Sequence, residues 1–146
     1  MAADPEALLT AHYPRVAARM LAPLIEMMAG ARREHGDLDR LLILMTLAQR
    51  AYTEPEVAEA LLAADAAPDL KPRATNTLSL ANAIFLPKET VRRKINELVD
   101  MGLATRQSRG IAITAAGVRH LARTRSALIR MSASHHEIIS RLREAA

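Results

Sequence analysis

The sequence predicts a mainly α fold with one small β-hairpin, and three observations carry that expectation. Ala, Leu, Arg, Glu and Met are abundant, whereas the 146 residues include one Phe, two Tyr and no Trp, a balance that favours helices over strands. Helix-capping patterns recur along the chain. Residues 78–113, LSLANAIFLPKETVRRKINELVDMGLATRQSRGIAI, then pass from helical to strand-like spacing within 36 residues. Half the residues are apolar, enough for a single domain over 1–146 with a real core.

Asp4-Pro5-Glu6 predicts a helix start, with Asp as N-cap, Pro at the first helical position and an acid in the first turn. Pro14 is expected to interrupt this helix and Pro23 to kink a second segment, whose stripe is Val16, Met20, Leu24, Met27/Met28 and Ala31. Gly36 closes that segment and Asp37 caps residues 38–52, a helix apolar almost all round and therefore expected in the core. Thr53-Glu54-Pro55-Glu56 resembles a capping box that opens a short helix through about Leu62. Residues 66–73, with two prolines and no period, read as a loop. After the hairpin, Thr114 is expected to cap a helix through Val118, Leu121 and Leu128. Ser132-Ala133-Ser134 is expected to break it, and a final helix to carry Ile138, Ile139 and Leu142.

Within 78–113 the spacing predicts a short apolar helix (Leu78 to Ile84), a turn ending at Pro87, a basic amphipathic helix (Lys88 to Met101), a capping Gly102 and two short strands. Val91, Ile95, Leu98 and Gly102 share the inward face of the second helix. Lys88, Glu89, Thr90, Arg92, Arg93 and Asn96 lie on the other side or its flanks, and Glu89 is expected to pair with Arg93. Arg bonds guanine and Asn bonds adenine bidentately, and a helix entering the major groove contacts bases by its first turns. The hairpin tip, expected over 106–110, offers Arg106 and Arg109 to phosphates or a narrow minor groove. This is a winged helix-turn-helix pattern (74–113), and it predicts binding to double-stranded DNA. The bland reading of the same charges is a solvated face.

Charge supports the sharper reading. Residues 1–70 hold six Lys/Arg against eleven Asp/Glu, a net of −5, and residues 71–146 hold fourteen against five, a net of +9. The basic surplus coincides with the motif, where phosphate contacts would release counterions. With no cysteine, disulfides, thiolate zinc sites and thiol redox sensing are excluded. The five histidines fall in no metal-binding spacing, and no phosphate-cradling glycine loop or nucleophile motif occurs, so neither a metal, a cofactor nor an enzyme is expected. No run of about 18 apolar residues suggests a membrane span, and no basic leader suggests secretion, so the expected location is the cytoplasm, at the nucleoid.

The segment LANAIFLPKETVRRKINELVDMGLATR resembles bacterial winged helix-turn-helix regulators, above all those of the MarR type, through Leu80, Ala81, Ile84, Leu86, Thr90, Val91, Leu98, Gly102 and Leu103. Thr114-x-x-Gly117 is similar to the T-x-x-G that opens the helix after the wing. The resemblance covers about the central third of the chain. It implies a homodimer joined by N- and C-terminal helices (1–36 and 114–146), reading a pseudo-palindromic operator. Phe85 stands where the family has Gly, the wing is short and lacks an acidic-x-Arg tip, and residues 54–73 form an additional segment. Unpaired, the stripes Val16, Met20, Leu24 and Ile138, Leu142 would be exposed, which also favours a dimer. His12, Tyr13, Met20 and Met27 are candidates for a small-molecule effector cleft, since methionines adapt to irregular ligands. The rival expectations are a winged-helix protein-interaction module, to which Glu89, Glu97 and Asp100 lend some support, and an architectural DNA-coating protein.

Overall fold

A computed structural model describes residues 4–63 and 72–145. Among the described residues, seven helices and one antiparallel hairpin follow in the order α1 Pro5–His35, α2 Leu38–Tyr52, α3 Pro55–Ala63, α4 Thr77–Ile84, α5 Lys88–Asp100, β1 Ala104–Gln107, β2 Gly110–Ile113, α6 Ala115–His120 and α7 Ala122–Glu144. The fold is thus mainly helical with a small two-stranded sheet. The chain divides into two compact units, one formed by residues 1–34 with 123–146 and the other by residues 35–122. Of the expected loop over 66–73, residues 66–71 lie outside the described residues.

In the first unit, α1 starts as its sequence dictates: the Asp4 carboxylate accepts the Ala7 N–H at 3.3 Å, one turn into the helix. The expected interruption at Pro14 does not occur, because α1 runs unbroken for 31 residues with both Pro14 and Pro23 inside it. Each proline deletes one backbone hydrogen bond, but the Ala, Arg, Met and Leu residues around them are strong helix formers, and packing overrides the local penalty. His135 of α7 braces the turn before Pro23 by donating to the Met20 carbonyl at 3.0 Å. Nor does α7 break at Ser132–Ser134. The Ser132 hydroxyl turns back onto the Leu128 carbonyl (2.9 Å), satisfying itself within one continuous helix. Val16 and Ile138 are buried, and Met20, Leu24 and Leu142 half-buried, so the stripes expected to lie open are largely covered within one chain. The large apolar residues left exposed are instead Tyr13, Leu21, Ile25 and Met28 on α1 and Leu128 and Ile129 on α7.

The second unit holds the larger core. Asp37 caps α2 by accepting the Arg40 N–H at 2.9 Å, and Ile43, Leu44 and Leu47 of α2 are almost fully buried with Leu80, Val91, Ile95, Leu98, Ile113 and Val118. α2 packs on α5 and β2, and α4 packs beside α5. Thr53 does not cap α3: its hydroxyl donates to the Arg50 carbonyl at 2.7 Å, ending α2, and α3 begins at Pro55. The strands pair from Ala104↔Ile113 to Gln107↔Gly110, leaving only Ser108 and Arg109 at the turn, so Arg106 lies in a strand rather than at the tip. Thr75, just before α4, joins β2 through paired backbone bonds with Ile111 (2.8 and 2.9 Å). Gly110 makes this possible, since a Cβ there would stand 2.5 Å from the Thr75 carbonyl oxygen. Thr114 caps α6 by accepting the Gly117 N–H at 3.0 Å. The expected single helix through Leu128 is divided at Leu121, whose non-helical ψ of 2° separates α6 from α7.

Candidate nucleic-acid interface

The candidate site is built from α4, the connection 85–87, α5 and the hairpin. Asn76 caps α4, its side-chain oxygen accepting the Ser79 N–H at 2.8 Å. α4 ends at Phe85, the one described non-glycine residue with positive φ (56°, ψ 38°). That left-handed conformation costs an L residue about 1–3 kcal/mol. It lets the Phe85 and Leu86 N–H groups both reach the Ala81 carbonyl, and Pro87 then opens α5 with a compatible φ of −59°. The Phe85 ring is 94 % exposed.

Helix α5 is strongly two-sided. Val91, Ile95 and Leu98 are almost fully buried, as their i, i+4, i+7 spacing requires, whereas Lys88, Glu89, Arg92 and Arg93 are exposed and Thr90 and Asn96 half-buried. Glu89, Thr90, Arg92, Arg93 and Asn96 line one surface depression of about 370 Å³, so five of the expected residues are brought together. Glu89 pairs with Arg92 rather than the expected Arg93: its Oε2 accepts from Arg92 Nε at 3.0 Å and Nη2 at 2.8 Å. Both spacings adjoin on a helix, and here the i,i+3 partner offers two donors to one oxygen. Arg93 and Lys88 have no ion-pair partner among the described residues. The Asn96 side-chain oxygen accepts from Arg106 of β1, which ties the hairpin to α5. Bidentate contact with adenine uses both ends of the Asn96 amide, and its oxygen, with two lone pairs, could accept from the base while still accepting from Arg106. Arg109 occupies the exposed two-residue turn.

Lys94, which the spacing leaves unremarked, and Glu97, named above only for the protein-interaction reading, hold α5 in place. Lys94 bonds the Asp37 carboxylate, and Glu97 accepts from Arg40 Nη1 at 3.0 Å, while Arg40 Nη2 donates to the His35 carbonyl at 3.1 Å. Glu97 is thus engaged with α2. Burial pushes the Asp37 carboxyl up, but the Lys94 hydrogen bond, the Arg40 N–H and the charges of Lys94 and Arg40 outweigh it and leave Asp37 below its ordinary value. Nearby, the rings of His35 and His120 meet edge to face, with Nδ1 and Nε2 3.1 Å apart. No signal short of the three-dimensional arrangement links these residues, since Asp37 and Lys94 are 57 positions apart.

The four effector candidates are not gathered. His12 and Met27 are separated by roughly 22 Å along α1 at 1.5 Å per residue. A hollow of about 580 Å³ on α1 is lined by Glu6, Leu9, Thr10 and Tyr13, and thus includes one of the four. Among the described residues no group of three or more His, Cys, Asp or Glu side chains could hold a metal ion, and no helix is long and apolar enough to cross a membrane. Comparison with protein-family models, curated proteins and solved structures gives no match.

Proposed function

We propose that the chain is a sequence-specific DNA-binding transcription regulator of winged helix-turn-helix type with a MarR-like layout, acting as a homodimer on a pseudo-palindromic operator in the cytoplasm. The observation that carries this reading is the outward face of α5, where Arg92, Arg93, Asn96, Thr90 and Glu89 share one depression, flanked by Lys88 and followed by a hairpin bearing Arg106 and Arg109. Arginines on such a face suit phosphates and guanine edges, and Asn96 suits adenine. In a dimer the two α5 helices would meet successive major grooves, with half-sites ~34–36 Å apart. Effector control through α1 is compatible with this role, and no catalytic role is proposed.

The discriminating experiment reverses Arg92 and Arg93 to Glu and measures retention of duplex DNA across a salt series beside the oligomeric state. The regulator reading expects loss of DNA binding with assembly unchanged, and a parent whose affinity falls steeply with salt yet prefers particular duplexes. A protein-interaction module would keep whatever weak DNA retention it has, and an architectural DNA-coating protein would show no sequence preference at any salt concentration.

A further inference from the structure

Phe85 is the single phenylalanine of the chain, and it occupies the least favourable place for one. Its ring is 94 % exposed and its backbone left-handed, so it is disfavoured both by water and by its own Cβ. The fold requires neither feature, because glycine would form the same turn without strain and no core contact would be lost. The ring nevertheless sits on a rigid stem. The Phe85 and Leu86 N–H groups are tied to the Ala81 carbonyl, and Pro87 restricts the next step of the chain. Three peptide units bring it to Lys88, the first residue of α5, so the two Cα atoms are at most about 11 Å apart. Exposed neighbours in sequence are Asn82 on α4 and Lys88 and Glu89 on α5.

Resting on the DNA-binding reading, we propose that Phe85 is a specificity-determining residue that selects the 5-methyl group of thymine at the edge of each half-site. That methyl is the one apolar group on the base edges of the major groove, and phenylalanine is among the side chains that contact it. Lys88, Arg92 and Arg93 suit phosphates and guanine, and Thr90, whose methyl could also meet that of thymine, is half-buried on α5 whereas Phe85 is fully presented. A ring held just ahead of the N-terminal end of α5 would lie where base edges are reached first. Wedge insertion between base steps, by contrast, is a minor-groove device and would not depend on that methyl.

The test uses the full chain. Duplexes are enriched from a random pool with the parent protein, and each thymine of the recovered half-site is replaced singly by deoxyuridine, which removes only the methyl. The expected result is a loss of about fourfold at one thymine per half-site, the worth of one buried methyl group. Phe85→Gly, which suits the positive φ and whose folding is checked by thermal melting, should bind the thymine and deoxyuridine duplexes equally. A parent indifferent to every replacement, or a Phe85→Gly protein with the parent's penalty, would overturn the thymine assignment while leaving DNA binding intact. A parent that enriches no duplex would overturn the DNA-binding reading, and this inference with it.

Discussion

Gly117, the last residue of Thr114-x-x-Gly117, stands where the fold leaves no room for a side chain. Thr114-x-x-Gly117 is visible as a pattern, but the need for glycine lies in what faces it: a Cβ would stand 2.2 Å from the Leu103 carbonyl oxygen and 2.7 Å from Ile113 Cγ1. The Leu103 carbonyl also accepts the Thr114 N–H at 3.1 Å, so it cannot retreat without loosening the start of α6. Gly117→Ala is therefore expected to destabilise the second unit by about 1–3 kcal/mol, as overpacking does. Thermal unfolding checks this, and a midpoint within about 1 °C of the parent would refute the steric account. Phe85 was legible in the same limited way, as a bulky residue where a turn favours glycine. Its exposure and left-handed backbone required the folded chain. The Arg106–Asn96 bond was not legible, because it depends on how β1 returns beside α5.

The elements that were legible are those whose ends are set locally. Asp4 and Asp37 cap α1 and α2 as their positions suggest, and the apolar spacing of 91, 95 and 98 orients α5. The elements misread are those where distant packing decides: α1 persists through Pro14, and α7 through its serines. What anchors α5 to α2 belongs to that second class. Asp37 serves as α2 cap and Lys94 partner together, and in the folded chain its carboxyl titrates below its unfolded value. Its stabilising contribution is then complete above the unfolded pKa of roughly 3.9 and is lost as the pH falls through the lower folded value. Asp37→Asn keeps a capping oxygen but removes the charge. It is expected to cost about 1–2 kcal/mol at neutral pH, the range of a partly buried charged hydrogen bond, with the deficit shrinking below about pH 4. Urea unfolding of both proteins at neutral pH and in acid measures this. A deficit equal at the two pH values would show that Asp37 acts as a cap alone.

At the scale of the whole molecule, the first unit leaves apolar residues of both its helices exposed. Leu21, Ile25 and Met28 recur at i, i+4 and i+7 on α1, a single stripe, and Ile25 is 61 % exposed; on α7, Ile129 is 62 % exposed beside Leu128. This differs from the stripe that spacing alone suggested, because a helix carrying apolar residues on several sides does not declare which side its own chain will cover. Val16 and Ile138 are taken by the monomer, and the residues left over are the ones available to the proposed second copy. A two-fold axis presents one patch to itself, so a single substitution acts twice in a dimer. Ile25→Glu or Ile129→Glu would place two like charges in or near that seam, each without a partner and partly stripped of water. Sedimentation of the parent at micromolar concentration is expected to give a dimer, and the Ile25→Glu, Ile129→Glu double variant a folded monomer. Because both residues are exposed in the single chain, the variant should keep its helical circular dichroism. With one α5 in place of two, it should also lose most operator affinity while keeping weak, salt-sensitive retention of any duplex. A parent that sediments as a monomer, or a double variant that remains dimeric, would refute this assignment of the exposed stripe.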